Sequence, residues 1–237
     1  MLKVNIVAGL FLSLFFTTHA ETWGSIDQKV EQFFKKHVAN GKVNYTAIKK
    51  SPSELNDLLN MIAETKLTES KNERLSFYIN AYNILVIKGI VDHYPVEGPL
   101  KIKGFFDRVQ YQIAGEQMTL NDLENHKIRI YKDARIHFAL VCAAISCPAL
   151  SSTAFTSQTV KARLQEHTEK ALNDDSFIRV KSQSKTVYIS EIFKWYKEDF
   201  ATSDAGIIRY INQYRRVKIP SNYALKYYPY SWKLNKK

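Results

Sequence analysis

The feature that most constrains the fold is a series of apolar residues spaced three and four positions apart. Its members are Leu75, Tyr78, Ile79, Tyr82, Leu85, Val86, Gly89 and Ile90. This spacing places them along one face of an α-helix. Because proline disfavours helical backbone at the residue before it, Tyr94-Pro95 would end such a helix. We therefore predict a long helix over residues 72–93.

Weaker patterns on both sides predict further helices and hairpins. Ser25 and Gln28 have the spacing of a capping box, and Ser53 precedes a second apolar helical pattern. The other predicted elements are a hairpin with arms at 109–113 and 118–120, a short helix begun by Thr119 and Asp122, a buried strand over 134–144, a helix over 156–173, a hairpin with arms at 177–181 and 187–189, a helix over 191–200 capped by Ser190, a helix over 207–214 capped by Asp204, and a final strand or packed irregular segment over 223–232. Helices and hairpins are mixed throughout, so we expect an α+β fold, a single domain with several helices packed on a mixed or antiparallel sheet.

The first residues have the pattern of a signal peptide. A positive start precedes an apolar run over 4–16, and the small residues Thr18 and Ala20 are spaced as at a signal peptidase site. We expect residues 1–20 to be a signal peptide and residues 21–237 to be one globular domain, exported to the periplasm or the extracellular space. The alternative is a retained membrane anchor, for which the run is short. No later segment is apolar enough to span a bilayer, so we expect no stable membrane span after signal removal.

The charge balance bears on partners. Lysine and arginine number 34 against 23 acidic residues, giving a formal net charge of +11. Such a charge attracts anions, which for an exported protein are phospholipid head groups, acidic glycans and envelope polymers. The basic residues are not interleaved with aromatics, so we expect no nucleic acid. We expect an unknown envelope ligand; the basic surface either meets an anionic partner or is simply solvated.

Two asparagines, Asn80 and Asn83, interrupt the predicted long helix. Asparagine is a poor residue for a helix interior because its side chain competes for backbone hydrogen bonds. Three positions apart, the two amides share a helix face. They either bind a substrate carbonyl or brace a neighbouring loop. Since burying an unpaired amide costs a few kcal/mol, each must have a partner.

Both cysteines of the chain, Cys142 and Cys147, lie in one apolar segment with His137. A thiolate is a good nucleophile, and an imidazole commonly activates it. In an oxidising compartment two cysteines also suggest a disulfide, which the four intervening residues allow only through a tight turn. A disulfide, two buried thiols and a reactive thiol all stay open. We expect no metal site here, because alternation along the predicted strand scatters the ligands.

Other candidates carry less chemistry. Glu124 and His126 lie in the predicted short helix and would either face the same cleft or serve as solvated or capping groups. The aromatic residues over 223–232 either stack on sugar rings or pack in the core. The chain has only 8 glycines and no Gly-rich nucleotide loop, so we expect no cofactor.

Five segments of the sequence, taken together, resemble those of a known family. They are residues 77–83, with the sequence FYINAYN, residues 119–126, TLNDLENH, residues 137–148, HFALVCAAISCP, residues 190–200, SEIFKWYKEDF, and residues 230–235, YSWKLN. Together, over roughly residues 70–235, they resemble the family called domain of unknown function 547, of the bacterial exported type. The family has no established reaction. Its plant relatives keep the asparagines and the histidine but can lack the Cys-Pro ending, so the resemblance implies a shared site at Asn80, Asn83 and His137.

These residues support two nearly equal hypotheses about function, with a structural or assembly role as a third, and whether the protein is an enzyme stays open. The first is a thiol-dependent hydrolase or acyl-transfer enzyme of the cell envelope, with Cys147 as nucleophile and His137 as general base. Asn83 or Asn80 would orient the histidine or donate to an oxyanion. The second is a non-catalytic binding module for an anionic or glycan envelope ligand. The catalytic hypothesis requires the imidazole and the helix amides to share one hollow that solvent can reach.

Overall fold

The computed structural model describes residues 20–237, with side-chain environments from Ile26 onward. The predicted signal peptide, apart from its last residue, lies outside the described residues. The α-helices are α1 (Ala20–His37), α2 (Tyr45–Lys50), α3 (Ser53–Glu64), α4 (Lys71–His93), α5 (Leu120–Asp122), α6 (Val160–Leu172), α7 (Ile192–Trp195), α8 (Lys197–Phe200) and α9 (Asp204–Tyr214). The strands are β1 (Val38–Ala39), β2 (Lys42–Val43), β3 (Tyr111–Ile113), β4 (Glu116–Met118), β5 (Ile178–Lys181), β6 (Thr186–Ser190) and β7 (Ala224–Tyr228).

The helix α4 is the centre of the first of two hydrophobic cores, and it confirms the predicted long helix. Every residue from 75 to 87 is buried, so the helix is covered on all sides rather than along one stripe. The helices α1, α2, α3 and α6 pack around it. The Ser70 hydroxyl accepts a hydrogen bond from the Glu73 N–H at the start of α4, and Tyr94 follows its end.

The second core lies on a three-stranded mixed sheet. The strands β5 and β6 are antiparallel, with Ile178 opposite Ile189. The strands β6 and β7 are parallel, with Val187 opposite Leu225, and α7, α8 and α9 form the connection between them. Phe193 of α7 is fully buried in this core, where it packs against Phe138 and Phe200. The expected α+β fold with helices against a mixed sheet is therefore confirmed.

The two cores meet along residues 136–147, a boundary that we call the seam. Ile136 belongs to the first core and Phe138 to the second. Residues 230–235, which we call the C-terminal segment, are hydrogen-bonded to this boundary. The Asn235 N–H donates to the Ala143 carbonyl at 2.9 Å, and the Ile145 N–H donates to the Lys233 carbonyl at 2.8 Å. The C-terminal segment thus holds the seam in place.

The predicted buried strand over 134–144 is wrong. Residues Ala134–Phe138 form a 3₁₀-helix, and the backbone that follows is irregular. The run is buried because it lies between two cores, and its backbone groups find partners outside any sheet. The Leu140 N–H, for example, donates to the Ile136 carbonyl. An apolar run indicates burial but does not by itself determine the backbone conformation.

Several predicted boundaries also change. The helix α1 already begins at Ala20, so Ser25 lies inside it instead of capping it. The predicted helix over 191–200 is divided into α7 and α8 at Tyr196, which has non-helical dihedrals. The cap of α9 is Ser203 rather than Asp204, since its hydroxyl accepts from the Gly206 N–H. The predicted cap of α9 is thus off by one position, because the neighbouring residues Ser203 and Asp204 are equally good sequence signals.

Both predicted hairpins are present, as β3–β4 and β5–β6, although the second arm of the first lies at Glu116–Met118 and not at 118–120. The capping box of Thr119 and Asp122 is also present, and a π-helical turn, Leu123–Ile128, follows it directly. Of the described helices, none has the length and apolarity that a bilayer crossing requires.

Candidate functional site

A cavity of about 250 Å³ opens at the seam, and we call it the aromatic cavity. Its walls come from α4, the π-helical turn, the seam, α7 and the C-terminal segment. Aromatic side chains predominate: Tyr82, Phe106, Trp195, Tyr196, Tyr230 and Trp232. The polar residues of the wall are Asn121, Glu124 and His137, and both cysteines contribute to it as well. An apolar cavity with a few convergent polar groups is the usual form of a small-molecule site.

The aromatic wall is built by rings packed on each other. Trp195 stacks on Trp232 with ring centroids 5.6 Å apart, and Tyr230 packs against Trp195 at 4.8 Å. Phe106 meets Trp232 edge-on at 6.2 Å. Offset and edge-to-face arrangements are the favourable ones for aromatic pairs. Trp195 keeps 44% of its surface exposed, so it lies at the mouth of the cavity.

Glu124 is the buried acid of the aromatic cavity, with 7% of its surface exposed. The Tyr82 hydroxyl donates to its Oε2 at 3.4 Å, and the Tyr196 hydroxyl lies close to it. Burial, and then the charge of Glu124, raises the pKa of both tyrosines, so both remain donors at neutral pH. Within the described part of the chain, no lysine or arginine forms an ion pair with Glu124. This carboxylate is therefore buried with only neutral partners.

His137 forms an ion-pair network behind the cavity wall. Its Nε2 lies 2.7 Å from Asp199 Oδ2, and Arg129 donates two hydrogen bonds to the same carboxylate, at 2.8 and 2.9 Å. His137, and then Arg129, holds the pKa of Asp199 well below its usual range. Because an ionised carboxylate only accepts, Nε2 must carry the proton.

The two predicted amides serve as clamps on backbone. Asn83 donates to the Ala139 carbonyl at 3.0 Å and accepts from the Val141 N–H at 2.9 Å. Asn80 makes the same pair of bonds to Phe155, at 2.8 and 3.0 Å. Neither amide is part of the aromatic cavity wall. Of the two roles left open, their geometry matches the structural one, and Asn83 fixes the chain just after His137.

The two cysteines form a disulfide, with their Cα atoms 6.4 Å apart. Ala143, at φ 62°, provides the tight turn that the short spacing requires. Both residues lie in the aromatic cavity wall together with His137. The structure therefore brings His137 and Cys147 to one cavity, leaves Asn80 and Asn83 outside it, and holds Cys147 without a free thiol.

A second cavity, of about 500 Å³, lies on the other side of the disulfide loop, and we call it the basic groove. Lys42, Lys170 and Arg179 lie along it, with Asp174 as the opposing charge. Cys147 belongs to the walls of both cavities. The disulfide loop is therefore a partition between an acidic aromatic cavity and a basic groove.

Several of these residues were weak or absent candidates in the sequence. Glu124 lies in the aromatic cavity, whereas the side chain of His126 is 72% exposed. Tyr230 from the aromatic tail lines the cavity. Arg129 and Asp199 were missed because Asp199 is 62 residues from His137 and 70 from Arg129, and no local spacing reveals such partners. The segment 190–200, which resembles the family, was the one signal near Asp199.

Within residues 20–237, no group of three or more His, Cys, Asp or Glu side chains is arranged so that it could hold a metal ion. No curated protein and no solved structure matches the chain significantly. Residues 66–171 match a family model described as "Protein of unknown function, DUF547". This segment holds Glu124, His137 and both cysteines, but the description names no reaction. Over residues 66–171 the chain thus matches the family that its sequence resemblance indicated.

Proposed function

We propose that the aromatic cavity binds a small ligand through a positively charged ammonium group. The observation that carries the proposal is the buried carboxylate of Glu124, which has aromatic neighbours and no basic partner. A buried carboxylate normally pairs with a cation, because burial without one is costly. A ligand cation would supply that partner.

The aromatic rings add to the same preference. The face of an aromatic ring carries negative electrostatic potential, so Trp and Tyr walls attract ammonium groups, most strongly where water is excluded. The cavity of about 250 Å³ suits a compact head group rather than a polymer segment. Longer ligands would extend past Trp195 at the mouth.

The same charges argue against an anion in this cavity, because Glu124 would repel it. The anionic partner expected from the net charge has a better match in the basic groove, with Lys42, Lys170 and Arg179. A glycan would use the faces of Trp195 and Trp232 but would leave Glu124 without a countercharge. The ammonium ligand is thus the more complementary of the three.

Export remains part of the proposal. Disulfides persist in oxidising compartments and are rare in the cytosol. The Cys142–Cys147 bond and the signal-like pattern of residues 1–20 both support a site of action in the periplasm or outside the cell.

A titration followed by tryptophan fluorescence tests the ligand class. The probes are choline and its uncharged isostere, 3,3-dimethylbutan-1-ol. Choline should quench the fluorescence saturably, and the neutral alcohol should bind at least about tenfold more weakly, because it lacks the cation–π and ionic terms. Equal binding of the two probes would overturn the proposal, as would binding of N-acetylglucosamine in the absence of choline binding.

Two matched variants assign the effect to one carboxylate. Glu124→Gln keeps the shape of the side chain and removes its charge, so choline affinity should fall by about tenfold or more. Glu64→Gln changes an exposed glutamate on α3 and should leave the affinity unchanged. If both variants bind choline like the original protein, Glu124 is not the partner of the cation.

A thiol-dependent hydrolase or acyl-transfer enzyme is the second candidate function. The observation in its favour is that His137 and Cys147 lie in one cavity wall. The reaction would require the disulfide to be reduced first. Hydrolysis of p-nitrophenyl acetate should then appear only with reductant, and Cys147→Ser and His137→Gln should each abolish it. Activity of the oxidised protein, or of Cys147→Ser, would exclude this candidate.

A further inference from the structure

We propose that the Cys142–Cys147 bond is a reactive disulfide that exchanges with small thiols, and that Cys147 is the sulfur that leaves as thiolate. This inference does not depend on the ligand of the aromatic cavity. It rests on the hydrogen-bond donors at the two sulfurs, on the access to them, and on how the disulfide loop is held.

The donors are distributed unequally between the two sulfurs. Cys147 Sγ accepts from the Cys142 backbone N–H at 3.0 Å and from the Tyr230 hydroxyl at 2.9 Å. Cys142 Sγ lies 3.0 Å from the same hydroxyl, which has a single proton to share, and has no backbone donor of its own. Two donors at one sulfur stabilise negative charge there, so bond cleavage is easier with Cys147 as the leaving group.

Tyr230 is suited to remain a donor. Its side chain is 9% exposed, and burial raises the pKa of its hydroxyl above the usual value. The ring is fixed by packing against Trp195 and Trp232, with centroids 4.8 and 4.9 Å away. The hydroxyl is therefore both protonated and held in place when charge develops on sulfur.

A thiol can reach the bond from either side of the partition. Both cysteines are only partly buried and line the aromatic cavity, and Cys147 also lines the basic groove. Cys142 is accessible through the aromatic cavity, which is the side from which the exchange must begin if Cys147 departs.

The disulfide is not needed to hold its loop. The Asn235 N–H donates to the Ala143 carbonyl, the Ile145 N–H to the Lys233 carbonyl, and the Ser231 N–H to the Ser146 hydroxyl at 2.9 Å. These bonds span the whole turn between the cysteines. Opening the disulfide would therefore leave both sulfurs close to their original positions and ready to close again.

The exchange proceeds in two balanced steps. A thiolate, RS⁻, attacks Cys142 Sγ. A disulfide bond forms between RS and Cys142, the Cys142–Cys147 bond breaks, and its electron pair stays on Cys147 as thiolate. A second RS⁻ attacks the R-bearing sulfur of this mixed disulfide, so that RSSR is released and Cys142 leaves as thiolate. The two protons lost by the RSH molecules end on the cysteines. Overall, two thiols are oxidised to one disulfide and the protein disulfide is reduced to a dithiol.

The first experiment measures reduction of the native full-length protein by reduced glutathione, at neutral pH, from the thiols formed with time. Wild type should react without denaturant. Tyr230→Phe keeps the ring but loses the donor, and it should react about tenfold more slowly. Tyr223→Phe is the matched control from the same segment, and its rate should equal that of wild type. Reaction only in denaturant, or equal rates for wild type and Tyr230→Phe, would overturn the proposal.

A second experiment identifies the leaving sulfur and does not depend on the Tyr230 variant folding. Cys142→Ser and Cys147→Ser each leave one thiol, whose alkylation by iodoacetamide is followed against pH. The thiol of Cys147 should ionise at lower pH than that of Cys142, because it has two donors. The opposite order, or identical profiles, would show that Cys147 is not the favoured thiolate.

Discussion

Buried polar side chains are paired differently in two regions of the molecule, the amide clamps of α4 and the aromatic cavity at the seam. In the first core, the oxygen and the nitrogen of Asn80 and Asn83 are both paired with backbone. At the seam, Glu124 has only tyrosine hydroxyls as partners. A buried group whose partners are all internal stabilises the fold, whereas a group left partly unmatched beside a cavity retains capacity for a ligand. The asparagines were the more conspicuous sequence signal, yet the ligand capacity lies with the glutamate.

The largest effect should come from removing a clamp. Asn83→Ala leaves the Val141 N–H and the Ala139 carbonyl buried and unpaired, so we expect a loss of about 3 kcal/mol in the free energy of unfolding. Chemical denaturation measures it. Asn60→Ala, on the exposed face of α3, is the control and should change stability by less than about 0.5 kcal/mol. Similar losses in both variants would remove the distinction between clamp and ordinary amide.

Next in size is the ion pair that supports His137. Asp199→Asn removes the charge paired with His137 and Arg129 and should cost about 2 kcal/mol at pH 7. Because the folded pKa of Asp199 is lowered, its contribution is present above the unfolded pKa and is lost as the pH falls below about 4. The stabilities of variant and wild type should therefore converge in acid. Glu198→Gln, an exposed partner of the same arginine, should cost less than about 0.5 kcal/mol.

A smaller effect, of opposite sign, is expected beside the other clamp. Asp27 accepts from the Asn80 amide at 3.2 Å, and burial raises the pKa of its carboxyl to about 7. The folded protein therefore binds more protons than the unfolded chain between about pH 4 and 7, and stability falls as the pH rises through that window. Asp27→Asn should gain about 1 kcal/mol at pH 8 and nothing at pH 4. Melting temperatures across that range check it, and a pH-independent difference would contradict it.

The smallest change in stability should follow the substitution with the largest effect on binding. Glu124→Gln removes a buried charge that no basic side chain compensates, so we expect a change of less than about 1 kcal/mol, of either sign. Chemical denaturation of Glu124→Gln and Asn83→Ala under the same conditions compares their changes in the free energy of unfolding directly. A loss as large as that of the clamp would mean that Glu124 is a structural group and that the two regions do not differ.

The sequence predicts these two regions unequally well. The helix α4 follows from local periodicity, and the need for partners of Asn80 and Asn83 follows from the cost of burial. Which backbone they would clamp does not follow, because the loop after His137 reaches α4 only through tertiary packing. The apolarity of residues 134–144 predicts a strand, but their backbone is partly 3₁₀-helical and partly irregular.

The cavity was harder to predict because its parts are distant in sequence. Glu124 lies on a π-helical turn, and a wider turn changes which side chains share a face, so ordinary helical spacing could not rank it above His126. The candidacy of His137 follows from its place in an apolar segment with both cysteines and from the family resemblance. Its partner Asp199 lies beyond any local pattern, in α8, 62 residues further along the chain.

The position of Tyr230 and Trp232 has a consequence for biogenesis. These residues leave the ribosome after every other part of the cavity wall, and the hydrogen bonds from Asn235 that steady the disulfide loop come later still. A nascent polypeptide that has already buried α4 therefore has neither a finished pocket nor a hydroxyl beside its sulfurs. The proposed ligand binding and the proposed thiol exchange would therefore both wait for the same late segment to take its place.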